Sequence, residues 1–178
     1  MRNMLAIIVL FFVIGCSSQP VIDKTAKQNH NGILIVAGEG LNSAYDDIRM
    51  SATLFTFSHK FAESLDAEIE KSGVPSQYYI NRDKAINPIT YVGTLLAKTK
   101  RDGLAQIAVN HVKTDQDNNL YLSIIFNKLI PQPDGSFKVG EGISERYKLS
   151  GSSTPQVLAN YFFRKHGQCL LTENKCLP

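Results

Sequence analysis

The segment Leu120-Tyr-Leu-Ser-Ile-Ile-Phe-Asn-Lys-Leu-Ile130 is the clearest strand in this chain. It is rich in the β-branched and aromatic residues that suit a pleated, half-buried surface. Pro131-Gln132-Pro133-Asp134-Gly135 follows it and has the composition of a hairpin loop, so residues 136–149 are expected to form the returning strand. Upstream, residues 104–112 form another apolar strand, separated by a turn at 115–119. These segments together predict an antiparallel meander.

The chain before this meander alternates strands with helical patterns. Ile33-Leu34-Ile35-Val36-Ala37 is an unbroken apolar run, which is typical of a strand buried on both faces. A helix is expected from Asp46 or Asp47 to about Ser72, followed by a short strand at 77–81.

A second helix, opened by Pro88, is expected over Ile89–Asp102, with Gly103 ending it. The last helix is expected over Pro155–His166, amphipathic through Val157, Leu158, Tyr161 and Phe162. The order β-α-β-α-β-β-β-α predicts an α+β or α/β fold, in which helices pack on a single mixed sheet.

The beginning of the chain has the pattern of an export signal. Arg2 precedes an apolar run from Leu5 to Gly15, and Cys16 follows it. The run has about half of the roughly 20 residues that span a bilayer, a length that fits a signal peptide. Val13-Ile14-Gly15-Cys16 resembles the lipobox of bacterial lipoproteins. This resemblance implies that Cys16 is acylated and becomes the first residue of the mature protein.

Two other interpretations of this segment are an ordinary secretory signal and an uncleaved transmembrane anchor. Val13 is larger than the residue preferred three positions before an ordinary cleavage site. Acyl chains on Cys16 would hold the protein on a membrane without a spanning helix. Because Ser17, not Asp, follows the cysteine, the resemblance implies the periplasmic face of the outer membrane, with the inner membrane as the alternative.

The domain organisation follows from this signal. Residues 1–15 are interpreted as the signal peptide, 16–31 as a polar tether, and 32–178 as a single globular domain with a disulfide-stapled tail. The formal net charge of +3 is too balanced to predict nucleic-acid binding. We expect Lys98-Thr99-Lys100-Arg101 to be a solvated helix end.

The remaining cysteines agree with export. Cys169 and Cys176 would close a short loop as a disulfide in the oxidising periplasm. A metal pair or a redox dithiol is the alternative, but the spacing is not Cys-x-x-Cys.

Motifs that could carry chemistry are sparse. Gly38-Glu39-Gly40-Leu41-Asn42-Ser43 lacks the third glycine of a dinucleotide site and is better explained as a tight turn. His59 and Glu63 could share a metal, although a surface pair is the simpler interpretation. The other histidines, His30, His111 and His166, are scattered along the sequence. The acid pairs Asp46-Asp47 and Glu141/Glu145 lie in predicted turns or on predicted faces, and Gly151-Ser152-Ser153-Thr154-Pro155 is interpreted as a loop and helix cap. Tyr78-Tyr79 is either a contact patch or a pair of half-buried strand residues.

The element order and the lipoprotein signal resemble a group of periplasmic domains over residues 32–166. They include the N-terminal domain of the Tol-system translocation protein, the curli secretion lipoprotein core, and outer-membrane lipoproteins that activate penicillin-binding proteins. The resemblance implies a module that docks on another envelope protein or supports assembly, without catalysis, cofactor or metal. A cell-wall glycan or small-ligand binding module and an envelope hydrolase are the alternatives.

Overall fold

The expected order of strands and helices is confirmed. The structure, a computed structural model, describes residues 31–39, 48–81, 87–113 and 118–171. Its elements are β1 (Ile33–Glu39), α1 (Ile48–Lys71), β2 (Ser76–Asn81), α2 (Pro88–Thr99), β3 (Gly103–Lys113), β4 (Asn118–Pro131), β5 (Phe137–Lys148) and α3 (Pro155–Leu171). The strands form one five-stranded sheet in the order β2-β1-β3-β4-β5.

The direction of each strand follows from the connection that precedes it. The helices α1 and α2 cross over between strands, so β1 lies parallel to both β2 and β3. The later connections are hairpins, so β3, β4 and β5 pair antiparallel. The sheet is therefore mixed. Strands β2, β1 and β3 are parallel, and the longer strands β3, β4 and β5 are antiparallel.

The main core lies on the sheet face that α1 and α3 cover, which we name the helical face. Ile35, Ala105, Phe126 and Ile143 stand in one row across this face. Phe61 of α1 and Phe162 of α3 are also fully buried there. The two helices close this face because each presents an apolar stripe to it.

A smaller core lies on the opposite face, under α2. Val92, Leu95 and Leu96 of α2 pack with Leu34 and Val36 of β1. Alternate residues of β1 therefore enter different cores, and the expectation that this strand is buried on both faces is confirmed.

The second helix is shorter than expected. Lys100 adopts a left-handed conformation, and its N–H donates to the Leu96 carbonyl over 2.8 Å, which ends α2 at Thr99. Gly103 begins β3, so the expected helix end at Asp102 is wrong. Pro88 opens the helix as expected, with the Asn87 side chain capping the N–H of Ile89.

The last helix is longer than expected and has a different inward side. It continues past His166 to Leu171, so Cys169 lies on the helix and not in a tail. Val157 and Tyr161 are exposed, and the expectation that they face inward is wrong. The buried stripe instead consists of Ala159, Phe162, Phe163, His166, Gly167, Cys169, Leu170 and Leu171.

Several sequence expectations lie outside the described residues. They are the lipidated Cys16, the tether before Asn31, the helix cap at Asp46 or Asp47, and Cys176. Within the described ranges, no helix is both long enough and apolar enough to span a bilayer.

Candidate functional site: an ion-paired corner and an uncovered sheet face

Three titratable side chains meet where α3 crosses β5. They are Glu145, Lys165 and His166, and we name this cluster the ion-paired corner. Oε1 of Glu145 on β5 accepts from Nζ of Lys165 at 2.6 Å and from the Nε2–H of His166 at 2.9 Å. His166 is 5% exposed, whereas the Lys165 side chain is 46% exposed. One carboxylate therefore joins the last helix to the edge strand by two charge-assisted contacts.

Burial and pairing shift the pKa of each group in this corner. The hydrogen bond from Lys165 lowers the pKa of Glu145, and it also raises the pKa of Lys165. Burial lowers the pKa of His166, although the Glu145 carboxylate opposes this shift. The corner therefore holds an ionised carboxylate beside a neutral imidazole at neutral pH.

Tyr147 of β5 and Tyr161 of α3 form an aromatic contact beside this corner. The rings of Tyr147 and Tyr161 meet edge to face with their centroids 6.0 Å apart. Burial raises the pKa of Tyr147, and its buried hydroxyl has no hydrogen-bond partner among the described residues. These contacts join α3 to the sheet, so the corner has the features of a structural tie.

The second feature is the part of the sheet that α2 leaves uncovered. On the face opposite α1 and α3, α2 packs near β1, while Gln106, Ile125 and Ser144 of the next three strands are exposed. Ile125 is 44% exposed although both of its neighbours, Ile124 and Phe126, are buried. We name this surface, bounded by Gln106, Tyr121, Ile125, Ser144, Arg146 and Lys148, the uncovered face.

An aromatic and a cation stack on the uncovered face. The Arg146 guanidinium lies 4.3 Å from the centroid of the Tyr121 ring. Lys148 is the cross-strand partner of Tyr121 and is exposed. No carboxylate shares this face within the described parts of β3, β4 and β5. The face is therefore basic, with an apolar and aromatic centre.

Two other pairs of candidate residues, His59 with Glu63 and Tyr78 with Tyr79, lie in the described part of the chain. The His59 ring packs on Tyr78 with centroids 5.8 Å apart, and Glu63 is exposed. The described residues contain no group of three or more histidine, cysteine or acidic side chains placed to hold a metal. Tyr78 packs with the helical-face core and Tyr79 with the α2 core, so they do not share one patch.

The remaining candidates are dispersed. Thr154 caps α3 by accepting from the N–H of Val157 at 3.3 Å, as expected of that loop. Cys169 is buried, and its pairing with Cys176 stays a prediction. The other candidates outside the described residues or side chains are His30, the His111 side chain, and Gly40-Leu41-Asn42-Ser43.

The contact between Glu145 and His166 was missed at the sequence level. The two residues are 21 positions apart, on a strand and a helix that only the fold brings together. One signal was present, because His166 follows Phe162 and Phe163 at the spacing of a single helix face. A histidine on an apolar stripe requires a polar partner from the element beneath it.

No protein-family model matches the chain, and no curated protein matches it. Among solved structures, a PelC dodecamer from Paraburkholderia phytofirmans is similar with a TM-score of 0.43 at 12% identity, covering 84% of this chain and 94% of that chain. A point variant of the same dodecamer has a TM-score of 0.44 at 11% identity, covering 83% and 93%. At these scores the likeness carries no argument about function.

Proposed function

We propose that this protein is a membrane-anchored periplasmic lipoprotein that docks on another envelope protein without catalysis. Its anchor is the acylated Cys16 at the end of the signal sequence. Its docking surface is the uncovered face. The observation that carries the proposal is the cluster of the exposed Ile125 and Arg146 with the half-buried Tyr121, on a sheet whose other parts are covered by helices.

The composition of the uncovered face supports protein docking. Tyrosine and arginine are enriched in protein interfaces and are frequent among the residues that dominate binding energy. Tyr121 and Arg146 already stack on each other, so little side-chain freedom remains to be lost on binding. Ile125 adds an apolar contact at the centre of the patch.

The charge of the uncovered face indicates the chemistry of its partner. Arg146 and Lys148 are both exposed there, on the strand at the edge of the sheet. A complementary surface would carry carboxylates around an apolar centre. The partner is therefore an acidic surface of another envelope protein.

The ion-paired corner supports a role without catalysis. Glu145 and His166 bond to each other and to the body of the protein, and His166 is almost fully buried. A group that acts as an acid or base must reach a reacting atom. The corner holds α3 in place, and it thereby fixes β5, which carries half of the docking surface.

Site-specific photo-crosslinking in living cells tests the docking proposal. A photoreactive amino acid at Ser144, on the uncovered face, should trap one discrete protein, which mass spectrometry identifies. The same amino acid at Asn160, exposed on α3, is the matched control. Adding Arg146→Glu to the Ser144 probe should remove the product. The proposal fails if Ser144 gives no product, or if Asn160 gives the same one.

Membrane fractionation with intact-mass measurement tests the anchor. The wild-type chain should carry acyl mass and float with outer-membrane vesicles, whereas Cys16→Ala should lose both properties. An unmodified wild-type mass would exclude the lipoprotein assignment. Retention of both the wild-type protein and Cys16→Ala in the membrane would instead indicate an uncleaved anchor.

A further inference from the structure

The tether enters the domain at one end of the sheet, which we name the entry pole. Asn31 and Gly32 precede β1 there, and the Gly32 carbonyl accepts from the N–H of Gly103 at 3.1 Å. The start of β3 is paired with Lys128 of β4. The amino-terminal ends of β1 and β3 therefore lie beside the final part of β4.

The β4–β5 hairpin continues past the entry pole. Beyond Lys128, residues 129–131 of β4 pair only with residues 137–139 of β5, and Leu129 also donates its N–H to the Asp102 carbonyl at 2.6 Å. The turn closes with a 2.8 Å bond from the N–H of Gln132 to the Ser136 carbonyl. The hairpin thus extends at the end of the sheet where Asn31 and Gly32 lead into β1.

This hairpin exposes large apolar side chains. Ile130 is 49% exposed and Val139 is 61% exposed, while Leu129 and Phe137 of the same hairpin pack against the α2 core. The hairpin is therefore held on the domain by one set of apolar residues and presents another set to the surroundings.

Exposed cations lie at the same pole as the apolar residues of the hairpin. Lys98 and Lys100 are exposed at the end of α2, and Lys138 is exposed on the hairpin beside Ile130. Two of the described acids at this pole have local partners, whereas Glu70 on α1 and Glu141 on β5 are exposed. The Asp134 carboxylate accepts from the N–H of Ser136 within the turn, and Glu68 pairs with Lys71 at the end of α1.

We propose that the entry pole lies on the anionic phospholipid surface of the membrane that holds Cys16, with Ile130 and Val139 at the boundary between headgroups and acyl chains. The proposal rests on the acylation of Cys16. Lysines beside exposed apolar side chains match an anionic interface in both charge and polarity.

The tether would strengthen the contact between the entry pole and the membrane, although the hairpin is small. From Cys16 to Asn31 the predicted tether has about 15 residues, which would span about 20 Å on average as a random coil. The anchor therefore keeps the pole close to the bilayer at a high effective concentration. Resting on the entry pole would direct the carboxyl ends of the parallel strands away from the membrane and leave the uncovered face accessible from the side.

Because the chain contains no tryptophan, a single introduced tryptophan is a clean probe of depth. Val139→Trp places the probe on the hairpin, and Ser152→Trp places a matched control on the exposed loop before α3. Each lipidated full-length protein is reconstituted in phosphatidylethanolamine–phosphatidylglycerol vesicles, with or without bromine on the acyl chains. We expect a blue shift and bromine quenching for Val139→Trp, and neither for Ser152→Trp. Adding Lys98→Glu, Lys100→Glu and Lys138→Glu together should reduce the quenching.

Flotation of the same vesicles distinguishes a failure of the Cys16 anchor from a failure of the entry-pole proposal. If Val139→Trp floats but is not quenched, or is quenched no more than Ser152→Trp, the entry-pole proposal is overturned and the anchor stands. If the protein does not float, the anchor fails and the entry-pole proposal fails with it. Docking is measured independently by the Ser144 crosslink. Thermal melting of each variant verifies that the domain is folded.

Discussion

Nε2 of His166 on α3 lies 2.9 Å from Oε1 of Glu145 on β5, and Nζ of Lys165 lies 2.6 Å from the same oxygen. A single carboxylate thus joins α3 to β5, an edge strand of the sheet. The His166 ring also packs on Phe162, with centroids 5.0 Å apart, so the polar contact is continuous with the core. The position of α3 on the sheet therefore depends on a charged group as well as on apolar burial.

Removing this carboxylate should destabilise the protein. Glu145→Ala leaves the buried His166 ring without its acceptor, so we expect a loss of about 1–3 kcal/mol in the free energy of unfolding. Urea denaturation measures the effect. Glu141→Ala, an exposed glutamate on the same strand, is the control and should change stability by less than about 0.5 kcal/mol. Equal effects of the two substitutions would contradict the role of the pair.

The stability of the fold should decrease on mild acidification because of His166. Burial lowers the pKa of His166 in the folded state below its ordinary value of 6.5. The unfolded chain therefore takes up the proton first, and the free energy of unfolding falls as the pH drops below about 6.5. The lowered pKa of Glu145 adds a further loss below its ordinary value of 4.5.

Thermal melting at about pH 7.5 and about pH 5.5 checks this dependence. The wild type should melt at a lower temperature at the acidic pH. In His166→Gln the difference between the two melting temperatures should shrink, whatever the substitution does to stability itself. An unchanged difference would show that other groups cause the pH dependence.

Neighbouring residues of β4 should respond differently to truncation. Phe126 is fully buried on the helical face, so Phe126→Ala should cost about 3–5 kcal/mol. Ile125 points to the uncovered face, so Ile125→Ala should cost less than about 1 kcal/mol. Chemical denaturation gives both values. A large loss for Ile125→Ala would mean that something covers this face in the isolated protein.

The hydroxyl of Tyr147 should be dispensable for stability. It is buried without a partner among the described residues, so Tyr147→Phe should be neutral or stabilise the protein by up to about 1 kcal/mol. The exposed Tyr161 is the control, since Tyr161→Phe keeps the ring contact and removes only a solvated hydroxyl. Destabilisation by Tyr147→Phe alone, measured by thermal melting, would reveal a hydrogen bond at this site.

Local patterns were sufficient to predict where most elements lie. The run Ile33–Ala37 and the start of α3 at Pro155 are as expected, and the hairpin loop, expected at 131–135, lies at 132–136. The end of α2 was misplaced, because Lys100 takes a left-handed conformation that the sequence does not signal in a residue other than glycine. The inward side of α3 was also misassigned, because the exposed Val157 and Tyr161 fit helical spacing as well as the buried residues do.

The sequence by itself determined the element order, the mixed sheet and the strand buried on both faces, because these depend on the periodicity and turn chemistry of neighbouring residues. It also carries Val13-Ile14-Gly15-Cys16, which resembles a lipobox. Only the tertiary structure decided which face of β4 stays uncovered and which glutamate meets His166. Both depend on how α2 and α3 pack over strands distant in the sequence, and local periodicity does not encode that packing.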